Sequence, residues 1–128
     1  MSKVLVIDDD PTIVSIYCNK FEALGFAVEG APTGEEGLVA LKRFKPDVVL
    51  LDLDLPQKSG VDVLRQIRSQ SDSEKLPVVA FSAGDIAGQV IAAWDAMATC
   101  VLMKGRDKPA RILDVVRSVI GRPASHAC

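Results

Sequence analysis

Aromatic residues are scarce in this chain: one Trp, one Tyr and four Phe, or 5% of 128 residues. That leaves little with which to build the stacking platforms used by single-stranded nucleic acids. Positive charge is not in surplus either. Fifteen Lys and Arg face 17 Asp and Glu, for a net charge of −2, so the basic footprint of a nucleic-acid binder is missing. There is a single His, and the three cysteines, Cys18, Cys100 and Cys128, match no C-x-x-C metal pattern. No apolar run approaches the roughly 18 residues that a membrane span needs. The N-terminal apolar stretch stops at Asp8-Asp9-Asp10, too early for a secretory leader. No membrane contact and a cytoplasmic location are therefore expected.

What is present is ordinary material for one folded domain. Hydrophobic content is 48% and charged content 25%, values typical of globular chains, and the length suits one domain with a proper core. Strand-like and helix-like periods alternate with no internal repeat and no long linker. The expected domain runs over 1–121. A Pro- and Ser-containing tail over 122–128, which includes His126 and Cys128, reads as a disordered terminus.

The chemistry gathers where apolar runs end. Val4-Leu5-Val6-Ile7 leads straight into Asp8-Asp9-Asp10, and Val48-Val49-Leu50-Leu51 leads into Asp52, with Asp54 two residues on. Such β-branched-rich runs read as strands buried on both faces of a parallel sheet. In open α/β sheets the ligand crevice lies at the carboxyl ends of the strands. Carboxylates delivered to that one end repel unless a cation sits among them, so the pattern points to a hard-metal site and phosphoryl chemistry. Two further runs end in Phe81-Ser82-Ala83 and Met103-Lys104, adding a hydroxyl and an ammonium. Asp10, just before Pro11, reads as a helix cap.

Between the strands the helical signals are local. Pro11 opens the first helix, whose stripe of Ile13, Ile16, Tyr17, Phe21 and Leu24 predicts one buried face, with Gly25 ending it. Thr33 and Glu36 form a capping box for the second helix. Further helices are expected over 59–69, 86–97 and 109–120, the last with Ile112, Val115, Val116, Val119 and Ile120 inward and Gly121 as its stop. Strands are expected over 3–7, 26–29, 47–51, 77–81 and 100–103. The alternation implies right-handed βαβ crossovers and hence an α/β, doubly wound (βα)5 domain with a parallel sheet.

Asp8-Asp9, Asp52 with Pro56 and Gly60, Ser82-Ala83 and Lys104, in that order and each near a strand end, resemble the receiver domain of two-component response regulators over Lys3 to about Gly121. The resemblance implies a flavodoxin-like strand order 2-1-3-4-5. It also implies Asp52 as the phospho-acceptor and a phosphohistidine on a sensor histidine kinase or histidine phosphotransfer protein as the donor. It further implies Mg²⁺ held by Asp8, Asp9, Asp52 and the main-chain carbonyl of Asp54, with Ser82 and Lys104 binding the phosphoryl oxygens. On this reading the protein phosphorylates and dephosphorylates itself rather than turning over a substrate, and a downstream target protein reads the change.

If these residues are the whole protein, no effector segment follows Gly121 and direct contact with nucleic acid is not expected. Two features depart from the family pattern: Gly105 stands where Pro usually follows the Lys, in a loop about one residue longer than usual, and Val101 stands where Tyr or Phe is typical. Two other readings compete. One is a receiver-shaped binding module that never accepts phosphate. The other takes Asp52-Leu53-Asp54-Leu55 as the DxDx motif of a haloacid-dehalogenase-like phosphatase, which would leave Asp8-Asp9 unexplained.

Overall fold

The structure is a computed structural model, and residues 2–84 and 88–120 are described. Five strands, β1 (Lys3–Ile7), β2 (Ala27–Ala31), β3 (Val48–Asp52), β4 (Val78–Ser82) and β5 (Cys100–Met103), alternate with five helices. The helices are α1 (Pro11–Ala23), α2 (Gly34–Phe44), α3 (Gly60–Ser69), α4 (Gln89–Asp95) and α5 (Pro109–Val119). All strand pairings are parallel and the sheet order is β2-β1-β3-β4-β5, as the resemblance implied.

Strands β1, β3, β4 and β5 are buried on both faces, which explains why they read as apolar runs, whereas the edge strand β2 is only partly buried. Side chains alternate sides. Leu5, Ile7, Val49, Leu51, Val78 and Ala80 pack with α2, α3 and α4, whereas Val4, Val6, Val48, Leu50, Val79 and Phe81 pack with α1 and α5. Among the described residues no helix is long and apolar enough to cross a membrane.

The local signals acted as expected. Asp10 caps α1, its carboxylate accepting the Thr12 N–H at 2.9 Å. Gly25 follows the cap residue Leu24 with φ +92°. Thr33 Oγ1 accepts the Glu36 N–H at 3.1 Å, and Ser59 does the same for Asp62 at 3.2 Å.

Other boundaries differ. Strands β2, β3 and β4 extend to Ala31, Asp52 and Ser82, later than their apolar runs suggested, because pairing with neighbours carries the ladder past the last apolar residue. The α1 stripe is narrower than predicted: Tyr17 and Phe21 are buried, while Ile16 and Leu24 lie exposed. Helix α4 begins at Gln89; the expected start at Ile86, the stop at Gly121 and the tail over 122–128 lie outside the described residues.

Candidate phospho-acceptor and metal site

The sheet order places β1 and β3 side by side at its centre, with the chain leaving them toward opposite edges. That is the switch point at which α/β sheets open a crevice. Asp8 follows β1 directly, Asp52 ends β3, Ser82 ends β4 and Lys104 follows β5. Main-chain hydrogen bonds fix these ends to one another: Asp8 N–H donates to Ala31 O at 3.1 Å, Leu53 N–H to Phe81 O at 2.9 Å and Lys104 N–H to Ser82 O at 2.7 Å. Gly60 lets α3 start tight against this floor, because a Cβ there would lie 2.3 Å from Asp52 O.

Asp8 and Asp52 are both buried, at 0% and 1% exposure. One ammonium serves them both: Lys104 Nζ lies 3.3 Å from Asp8 Oδ2 and 3.3 Å from Asp52 Oδ1. The Asp10 N–H donates to Asp8 Oδ1 and the Asp54 N–H to Asp52 Oδ1, each at 2.9 Å. Burial pushes the Asp52 carboxyl up to about 6; Asp8 and Asp54 push the same way, and the Asp54 N–H and Lys104 oppose them. Burial likewise raises Asp8 against the Asp10 N–H and Lys104. For Lys104 burial works against the ammonium, but Asp52 and Asp8 outweigh it and raise its pKa. One cation is too little for this group of acids.

The donor set fits a divalent cation. Carboxylate oxygens of Asp8, Asp9 and Asp52 all lie within 4.8 Å of one another, Asp9 being the exposed member. Asp8 Oδ2 is buried with no hydrogen-bond partner among the described residues, and the Lys104 ammonium lies 3.3 Å from it. A buried anionic oxygen left that way is costly unless a cation completes its shell. Hard oxygen donors with open approach from solvent suit Mg²⁺ better than a soft metal.

Ser82 stands apart from this group. Its hydroxyl oxygen lies 2.6 Å from Gly84 O and 3.2–3.3 Å from both Asp54 carboxylate oxygens, and among the described residues its side-chain hydrogen bonds go to these groups and the Gly84 N–H rather than to Asp52. Three contributors escaped the sequence reading. The Asp54 side chain, expected only to lend its main-chain carbonyl, bonds the β4 end. The Phe81 ring carries Lys104 Nζ 4.6 Å from its centroid and is itself met edge-on by Tyr17. Asp107 closes the loop after β5, accepting the Met103 N–H at 2.8 Å while its own N–H donates to Met103 O at 2.8 Å. Gly105 supports that loop with φ +87°, a conformation that glycine adopts at no steric cost. None of the three carried a sequence signal, since each depends on a partner 4 to 64 residues away.

The profile of the response regulator receiver domain matches residues 4–117. The DNA-binding response regulator MtrA of Mycolicibacterium smegmatis is 32% identical over 94% of this chain and 51% of its own length. The chain spans 34% to 51% of the first curated relatives that it matches. Since one of them is described as DNA-binding, the relatives do not support the expectation that nucleic acid plays no part. Among solved structures, the chemotaxis protein CheY4 of Vibrio cholerae superimposes with a TM-score of 0.86 at 25% identity, covering 94% of this chain and 99% of that one. The receiver domain of the sensor histidine kinase PA1611 from Pseudomonas aeruginosa, described with a magnesium ion in its active-site cleft, gives a TM-score of 0.83 at 24% identity over 94% of this chain and 98% of that one.

Proposed function

This chain belongs to the response regulator receiver domain family of two-component signalling, and on that premise we propose that Asp52 is its phospho-acceptor. The observation that carries the reading is the placing of Asp52, buried at the end of β3 with Lys104 Nζ 3.3 Å from its Oδ1 and Asp8 beside it. A carboxylate nucleophile can form an acyl phosphate. The contacts to Lys104 and to the Asp54 N–H fall on Oδ1, so Oδ2 is the attacking oxygen. It forms the O–P bond as the P–N bond of the phosphohistidine breaks, and that electron pair returns to the donor imidazole. Lys104 follows the incoming charge as a point cation, and Ser82 offers its hydroxyl to a phosphoryl oxygen.

Asp8, Asp9 and Asp52 would hold Mg²⁺, with the Asp54 main-chain carbonyl as a further ligand. When bound, that ion supplies the charge neutralisation that phosphoryl transfer depends on. The donor would be a sensor histidine kinase or a histidine phosphotransfer protein, and a downstream target would read the phosphorylated state. The buried acid pair beside Lys104 favours this reading over the phosphate-independent binding module and over the phosphatase.

Incubation with acetyl phosphate and Mg²⁺, followed by intact mass spectrometry, tests it. One phosphoryl group per chain is expected, none in EDTA and none in Asp52→Ala. Labelling that persists in Asp52→Ala, or none in the wild type with several small phosphodonors, contradicts it.

A further inference from the structure

The Asp54 carboxylate is bound more firmly than a bystander of the site needs to be. Its Oδ1 and Oδ2 lie 3.3 and 3.2 Å from Ser82 Oγ, and Oδ2 accepts the Ala83 N–H at 2.8 Å. The side chain thus ties the turn after β3 to the turn after β4, the strands whose ends carry Asp52 and Ser82. Ser82 has one hydroxyl proton to give, and Gly84 O, 2.6 Å from Oγ, already competes with Asp54 for it. The Ala83 amide likewise has one proton, and it is committed to Asp54. A phosphoryl group on Asp52 would need donors from this same short stretch.

We propose that Asp54 is a positioning residue whose carboxylate holds Ser82 and Ala83 in the unphosphorylated arrangement and competes with a phosphoryl group on Asp52 for their two protons. The proposal rests on Asp52 being the phospho-acceptor. A carboxylate and a phosphoryl group are both anionic oxygen acceptors, so each satisfies the same pair of donors and excludes the other. Hydrogen bonds to a charged acceptor are stronger than neutral ones, so releasing Ser82 and Ala83 opposes the switch. The Asp54 charge acts in the same direction, since it sits beside the place where phosphoryl charge collects. A group can shift a two-state equilibrium only through contacts that differ between the states, and these contacts exist in the unphosphorylated one. The main-chain groups of Asp54, its N–H on Asp52 Oδ1 and its carbonyl, do not depend on the side chain.

The test titrates beryllofluoride, as a phosphoryl analogue, with Mg²⁺ into the wild type, Asp54→Ala, Asp54→Asn, Ser82→Ala and the double variant Ser82→Ala/Asp54→Ala. Amide exchange at Ala83 is followed separately in metal-free protein. Asp54→Ala should bind the analogue about tenfold tighter, the size expected for removing competing hydrogen bonds of this kind. Asp54→Asn, which keeps one acceptor and loses the charge, should fall between. The gain should shrink when Ser82→Ala is the background, measured against Ser82→Ala alone. Without metal or analogue, Ala83 exchange should quicken in Asp54→Ala while exchange within β3 and β4 stays as in the wild type. Equal or weaker binding by both Asp54 variants, with the wild type binding normally, overturns the proposal. If the wild type neither binds the analogue nor accepts phosphate, the phospho-acceptor reading has failed instead. Should Asp54→Ala fail to fold, Asp54→Asn and the Ala83 exchange rate decide alone.

Discussion

Two carboxylates share one ammonium in this site, and that imbalance has measurable consequences for single residues. The folded Asp52 carboxyl stands at about 6, above its ordinary 3.8, chiefly because it is buried. Between those two values the folded Asp52 holds a proton that the unfolded chain has lost, so the contribution of this group to metal-free stability falls as pH rises from about 4 to about 6. Asp52→Asn removes that contribution. Its stability relative to the wild type should therefore climb from pH 4 to pH 6 and level off above, as thermal melts in EDTA at fixed ionic strength would reveal; a difference independent of pH contradicts the burial argument. Asp9 should behave otherwise, because it is exposed. Asp9→Asn should leave the metal-free melting temperature nearly unchanged, as is usual for exposed substitutions. It should nevertheless abolish the Mg²⁺ response, which in the wild type should be roughly 1–3 kcal/mol at ten- to hundredfold excess over the dissociation constant. An Asp9→Asn variant that Mg²⁺ stabilises as well as it does the wild type would remove Asp9 from the ligand set. The acids and Lys104 were legible in the sequence because each closes an apolar run. The Asp54 and Phe81 contacts were not, because they join strand ends that only the sheet brings together.

At the scale of elements, helices could be read more sharply than strands where a cap marked them. Asp10, Thr33 and Ser59 announce α1, α2 and α3 through side chains acting within three residues. The ends of β2, β3 and β4 slipped by one or two residues because the ladder is decided by non-local partners, as when Asp52 pairs with Phe81 and Ser82 with Met103. Nor could periodicity give the strand order, since alternation says only that crossovers exist. Strand β5 carries the departure with the most to say about switching. Val101 is buried in the core cluster with Trp94 packed against that cluster. It is β-branched and stiff at χ1, so it cannot swing as a ring would. Beryllofluoride should therefore shift amide signals most around Ser82–Gly84 and the start of α4, and least along β5. Changes at Val101 and α5 as large as those at Ser82 would show that the response travels through β5 after all.

Over the whole molecule, two apolar layers on either side of one sheet hold four strand ends at a fixed distance from one another, and the chemistry follows from that placement. The chain matches about a third to a half of its curated relatives' length. What the fold itself has to deliver is a single phosphorylated carboxylate. The most direct measurement is to phosphorylate the protein with acetyl phosphate and Mg²⁺, reduce the acyl phosphate with borohydride, and locate the resulting homoserine by peptide mass spectrometry. Homoserine is expected at position 52 alone, and absent when Mg²⁺ is withheld. Homoserine at position 8, 9 or 54, or none at position 52 in protein that carries the phosphoryl group, would contradict it.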